Sequence, residues 1–508
     1  MSHEKRSLVL ITVDCLRADH CGFYGYARPT TPFLDALAAE SYVVPTAIVG
    51  GAPTYYSFPT ILASRMPLAL GRDVIGLAPG ETTLATVLRE SGYATGAFSA
   101  ANPYISPRFG YDQGFDTFRD FLEFEAQVAP NNENSDSVNS LAGAKSAFRG
   151  RLNRTARSVA GGFGLSRLYN ELYFQYCMKN APAAGSIAAL QKFPTADVMV
   201  EEAQNWLSSV GQRPFFLWLH LMDPHSPYYP PDEAFDEFTG RKIDVARARY
   251  VNEYWNRRDP TAAGLRGKRD EVVQLYDAGI RWVDHQIARL VEGLKQTQRW
   301  GQAVLVLTGD HGEEFLEHGG RYHAPFRLSE EIIRVPLLIR IPSERAGKVP
   351  TSPMSHLHLA PTLLEILEVQ QPTAFQGRSL WEHLRRGRAW DDPAIVECAF
   401  GCTNPFSTES RSAARLLAVR EERYKLIMRM EPGVVEEIYD LETNRAEIAD
   451  GSNGVPPDIR KRLLLTASEH MKKAVAARDN KMRMTARLRE LRWEILKSDV
   501  PARMKAEG

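Results

Sequence analysis

The chain has 508 residues, 44% of them apolar and 24% charged, with 62 Lys and Arg against 62 Asp and Glu. That length and mix fit one large or two medium folded domains and exclude wholesale disorder. Zero net charge argues against a general polyanion binder, so no nucleic-acid partner is expected.

In chain order, residues 8–13 are short, β-branched and bounded by charge, which predicts a buried strand. Residues 31–41 have helical spacing, with Thr31 as the cap and Pro32 at the first helical position. Residues 82–91 predict a second helix, followed by Gly92 and a strand-like stretch. Continuous apolar runs at 215–221 and 303–308 flank a long amphipathic helix over 268–299. This alternation predicts an α/β fold, with a mostly parallel central sheet and helices on both faces. Segment 130–200 opens polar and then runs basic and apolar through Arg149, Arg151, Arg154, Arg157 and Arg167, which reads as a helical insertion in a catalytic domain spanning 1–390. Short strands at 413–419 and 423–428 predict a smaller C-terminal α+β subdomain over 391–455. Residues 456–508 read as a basic helical tail, either a solvated helix packed on the domain or an arm for an anionic partner.

Five scattered cysteines (Cys15, Cys21, Cys177, Cys398, Cys402) fit a reducing compartment better than a disulfide scaffold. No leader is visible, and no apolar run approaches the roughly 18 residues of a membrane span. A cytoplasmic, soluble protein without a membrane span is expected, with oligomerisation left open.

Ligands in open α/β sheets gather where strands end at their carboxyl edge. Asp14 follows the first predicted strand, Asp310 and His311 follow the run at 303–308, and His220 with Asp223 and His225 attends the run at 215–221. One Asp after one strand is usually a cap or a turn residue. Two carboxylates and an imidazole from separate strands make a cage for a divalent metal.

These residues also carry a resemblance. Val13-Asp14-Cys15-Leu16-Arg17-Ala18-Asp19-His20, followed by Tyr24-Gly25-Tyr26 and Thr31-Pro32-Phe33-Leu34-Asp35, resembles the opening of the sulfatase family of the alkaline phosphatase superfamily. Leu307-Thr308-Gly309-Asp310-His311-Gly312-Glu313-Glu314 with Glu317-His318-Gly319 is similar to the family's second metal motif. Further stretches at 333–339, 359–364, 376–380, 423–426 and 438–442 extend the match to about residue 450.

The resemblance implies one divalent ion, Mn, Zn or Ca, held by Asp14, Asp310 and His311 with the nucleophile Ser57 beside them. Family nucleophiles are Cys or Ser in a Cys/Ser-x-Pro-x-Arg context, oxidised to formylglycine. Here Ser57-Phe58-Pro59-Thr60-Ile61 has Ile61 in place of the arginine, so an unmodified Ser57 would attack directly, activated by the metal. Thr54 is the rival nucleophile if the register slips by three; Tyr55, Tyr56 and Ser64 fit less well.

His225 and His323 are implied as catalytic groups facing the ester oxygens or the leaving group, and Asn102 as a substrate contact where many relatives carry lysine. Cys15 replaces a second acid and is either a soft ligand or a buried, inert thiol. Arg17 and Asp19 are expected to pair and shape the first loop, and His318 to play a supporting part.

The expected function is hydrolysis of a sulfuric or phosphoric ester on a small-molecule, glycan or lipid substrate. A phospho-group transferase of the same superfamily is the runner-up. A degenerate binding protein would suit Ile61, Cys15 and Asn102, but the retained acids and histidines oppose it.

Overall fold

The computed structural model describes residues 5–71, 74–123, 166–344, 346–430, 434–448 and 454–473. Residues 130–165 of the expected insertion and 474–508 of the basic tail lie outside the described residues.

The central sheet has seven strands: β1 (Ser7–Val13), β2 (Tyr42–Val43), β3 (Ala94–Ser99), β4 (Thr117–Arg119), β5 (Phe215–Leu221), β6 (Ala303–Gly309) and β7 (Leu337–Arg340). Their order is β2-β7-β6-β1-β5-β3-β4. The five strands from β6 to β4 run parallel, and β7 pairs antiparallel with both β6 and β2. Every residue of β1 is buried, as a central strand covered on both faces requires.

Alternation along β1 sends its side chains into two cores. Leu8 and Leu10 join Phe216, Trp218, Val304 and Val306 on one face. Val9, Ile11 and Val13 join Leu217, Leu219, Leu305 and Leu307 on the other. The first face is covered by α2 (Thr54–Ala63) and α3 (Leu84–Glu90), the second by α1 (Pro32–Ala38), α4 (Ala196–Val210) and the 28-residue α5 (Arg269–Gln296).

α1 begins at Pro32 as its spacing predicts, but its cap is different. The Thr31 side chain makes no capping bond. Its hydroxyl donates to Asp35 instead, and the Asp284 carboxylate, reaching from α5, accepts the Phe33 and Leu34 N–H groups at 2.9 Å each. A carboxylate there complements the partial positive charge of the helix end.

Four antiparallel strands form the C-terminal sheet: β8 (Ala394–Ala399), β9 (Arg415–Glu421), β10 (Tyr424–Arg429) and β11 (Val434–Asp440). A helix over 457–473 supplies Leu463 and Ala467 to a small core on this sheet. The subdomain is joined to the rest by a buried ion cluster. Lys425, fully buried, lies 2.6 Å from Glu447 and 3.4 Å from Glu330.

Buried charges persist only when paired, and removing one partner strands the other. Replacing Lys425 by Met should therefore destabilise the protein by about 3 kcal/mol, read as a lower urea midpoint. The loss should shrink as pH falls and the stranded carboxyls take up protons.

Candidate active site

Strand register assembles the site. Val13 pairs with both Leu221 and Gly309, so β1, β5 and β6 end level and Asp14 and Asp310 emerge side by side. Pairing of Ser99 with His220 brings β3, and Asn102 just beyond it, to the same edge. Two close approaches fix the loops that follow. A Cβ on Gly312 would lie 1.9 Å from the Glu331 carbonyl oxygen, and one on Gly279 of α5 would lie 2.7 Å from that of Asp223. Only glycine lets the 310–314 and 223–225 segments sit this deep.

Asp14 is fully buried. Its Oδ2 accepts from Asn102 Nδ2 at 3.0 Å and its Oδ1 from Cys15 Sγ at 3.1 Å. Asp310, also fully buried, uses Oδ1 to accept from the Cys15 and His311 backbone N–H groups at 3.3 and 2.8 Å. Cys15 itself has φ +60°, an uncommon conformation for a residue with a side chain, which turns its N–H onto Asp310. Burial, with the neighbouring Asp14 charge, pushes the Asp310 carboxyl well above its ordinary range.

Hydrogen bonds orient the imidazoles. His311 Nδ1 donates to the Gly312 carbonyl at 2.9 Å, leaving the Nε2 lone pair facing Asp14 at 3.5 Å and Asp310 at 3.6 Å. Burial and the nearby His323 lower its pKa to about 4, so it is neutral at physiological pH. His220 Nδ1 lies 3.1 Å from the Thr12 hydroxyl, which also accepts from Trp218 Nε1 at 3.0 Å. Its Nε2 faces Asp14 Oδ2 at 3.4 Å.

Two acceptors that face each other in a dry interior need a proton or a cation between them. His220 Nε2 and Asp310 Oδ2 are both buried without a hydrogen-bond partner. Ligand atoms of Asp14, His220 and Asp310 lie within 4.8 Å of one another, as do those of Asp14, Cys15 and His311. This donor set, two carboxylates with imidazole nitrogens, fits a divalent metal ion.

The hydroxyl at this cluster belongs to Thr54. As the first residue of α2, it places Oγ1 3.1 Å from His311 Nε2. The family resemblance sets Ser57 beside the ion. One turn further along, fully buried, Ser57 donates back to the Thr54 carbonyl at 3.1 Å. A helix has 3.6 residues per turn, so residue 57 lies on the same face but one turn deeper.

His225 and His323 stand over the cluster. Their ring centres are 5.2 Å apart, and His323 is 4.5 Å from the His311 ring. His225 Nδ1 donates to the Ser226 carbonyl at 2.5 Å, and burial lowers its pKa. Burial opposes protonation of His323 too, but the Glu313 carboxylate, 3.2 Å from its Nδ1, outweighs it and raises the pKa. Both histidines line a cavity of about 370 Å³ together with Thr54, Tyr55, Asn102 and Tyr104. Among the described residues that line it there is no lysine or arginine.

Asn102 lines the cavity but spends its amide on Asp14, and its Oδ1 accepts from the Tyr104 N–H at 3.0 Å. His318 turns away, 3.1 Å from Glu331. Arg17 and Asp19 pair through two bonds of 2.9 and 2.7 Å. Sequence reading undervalued Thr54, left His220 without a role and overlooked Glu313. For Thr54 the available signal was its place directly after Pro53, where a buried helix starts.

A family model described as Sulfatase matches residues 6–369, and one described as N-sulphoglucosamine sulphohydrolase, C-terminal, matches 317–455. An arylsulfatase of Clostridium perfringens is 24% identical over 429 residues, covering 78% of this chain and 82% of that protein. A sulfatase of Formosa agariphila is 25% identical over 281 residues, and there the match spans 51% of this chain and only 52% of the relative's length. Among solved structures, the phosphonate monoester hydrolase of Agrobacterium radiobacter shares the fold with a TM-score of 0.63 at 18% identity, covering 93% of this chain and 96% of the other. Because the Sulfatase model spans well over half of the sequence, from β1 through the strands that deliver Asp14, Asp310 and His311, the chain belongs to the sulfatase family of the alkaline phosphatase superfamily.

Proposed function

We propose that the protein is a metal-dependent hydrolase of sulfate or phosphonate-type esters, with Thr54 as the attacking group. The observation that carries this reading is the Thr54 hydroxyl at the N-terminus of α2, 3.1 Å from His311 and directed at the Asp14–Asp310 cluster. Family membership and the fold shared with a phosphonate monoester hydrolase support the reaction class.

Asp14, Asp310 and His311 would hold the ion, with His220 beside them. A divalent metal there lowers the pKa of an adjacent hydroxyl and polarises the ester oxygens. Thr54 Oγ1 gives up its proton to solvent and attacks the phosphorus or sulfur centre; its bond to that atom forms, the bond to the leaving oxygen breaks, and that oxygen takes a proton from solvent. Water later releases the group from Thr54 and restores the hydroxyl. The departing oxygen needs positive charge, and the side chains that face it are His225 and His323. Asn102 acts by fixing Asp14.

The nucleophile favours the phosphorus side of this range. A threonine is a secondary alcohol and cannot be converted to the formylglycine aldehyde that the family resemblance implies for Cys or Ser. The cavity admits a small ester or the end of a larger one, so the identity of the alcohol stays open between small-molecule, glycan and lipid esters.

Purified protein should cleave 4-nitrophenyl phenylphosphonate, 4-nitrophenyl sulfate or both when supplied separately with Mn, Zn or Ca. Failure with every metal would overturn the reading. Thr54→Ala should lower kcat by at least about 10³-fold, whereas Ser57→Ala should stay within about tenfold. The reverse pattern would return the role to Ser57. Chelation should abolish turnover, and Asp310→Asn should lose the bound ion by elemental analysis while keeping its far-ultraviolet circular dichroism.

A further inference from the structure

We propose that a cavity between the catalytic domain and the C-terminal sheet, separate from the active site, binds a free tetrahedral oxyanion, phosphate or sulfate, through Arg334, Arg420 and Arg445.

The cavity holds about 270 Å³ and shares no lining residue with the one above Thr54. Arg334 stands on its catalytic-domain wall, facing Arg420 of β9 and Arg445 beyond β11 on the other. Arg420 is only 7% exposed, yet its Nε and Nη1 are buried without a hydrogen-bond partner. Its one ion pair, among the described residues, is to Glu330 at 3.5 Å, and Glu330 also serves Lys425 at 3.4 Å. The Arg334 Nε is likewise buried and unpartnered, while its Nη2 donates to the Pro45 carbonyl at 3.0 Å. Neither Arg334 nor Arg445 forms an ion pair among the described residues.

Two further acids line the cavity, and each has its own partner. Arg17 donates to Asp19 at 2.9 and 2.7 Å. Burial opposes protonation of His318, but Glu331, 3.1 Å away, raises its pKa. Four cations, Arg334, Arg420, Arg445 and Lys425, therefore answer to two carboxylates, Glu330 and Glu447. A buried charge without a counter-charge is costly, and a dianion closes this gap. Guanidinium forks match the oxygens of phosphate and sulfate. An ion held here would tie the C-terminal sheet to the 17–19 loop, where Arg17 also donates to the Glu313 carbonyl at 3.0 Å beneath the active site.

Isothermal titration calorimetry of the full chain with sodium phosphate and, separately, sodium sulfate tests this at constant ionic strength. Chelator-treated protein is used, so that no cation at Asp14, Asp310 and His311 offers the anion a competing site. Saturable binding of one ion per chain is expected, with no matching heat from sodium chloride. Arg420→Gln should weaken it at least about tenfold. Arg445→Ala, at an exposed position, should do the same and serves if the first variant fails to fold. Absence of saturable binding by the wild type, or affinity unchanged in Arg445→Ala and in folded Arg420→Gln, would overturn the site.

Discussion

Three carboxylates buried at the carboxyl end of a parallel sheet, with no lysine or arginine among the described residues that line the cavity above them, are the constraint to which the rest of the molecule answers. Dehydrating such groups is costly unless positive charge or donated hydrogen bonds replace the lost water. Backbone amides of Cys15 and His311 supply part of that to Asp310, and the Asn102 amide supplies part to Asp14. Acceptors at His220 and Asp310 stay unsatisfied. The apolar layers on both faces of the sheet pack around this arrangement, so the unmet demand is focused at one place.

Much of this was legible in the sequence because it follows from short-range patterns. Buried runs of six or seven residues declared the central strands, and the acids directly after them had to emerge at one edge once the strands were parallel. Asp14, Asp310 and His311 were therefore readable as a group, and the fold class with them. Thr54 was not readable with the same security. Motif spacing around Pro59 favoured Ser57, and only the true first residue of α2 separates two hydroxyls one turn apart. His220 was hidden by its position inside a strand, where burial alone explains a side chain until its unpartnered nitrogen beside Asp14 is seen. Thr31 illustrates the opposite limit. Its local sequence announces a cap, yet Asp284, about 250 residues away in the chain, takes the donors.

The C-terminal subdomain takes part in the cavity wall. Gly401 donates to the Pro325 carbonyl at 2.9 Å, two residues past His323, and Phe400 packs edge-on against Phe326. The Tyr55 hydroxyl donates to the Cys402 carbonyl, and Phe406 stacks on Tyr104. One loop of the small sheet thus braces both the segment that carries His323 and the start of the helix that carries Thr54. The Lys425 cluster anchors that sheet from the other side, so it bears on active-site geometry as well as on stability.

The position of Thr54 has a consequence for how the protein comes into being. On the role proposed for Thr54, the attacking side chain works as translated, and its formation calls for no dedicated oxidising partner.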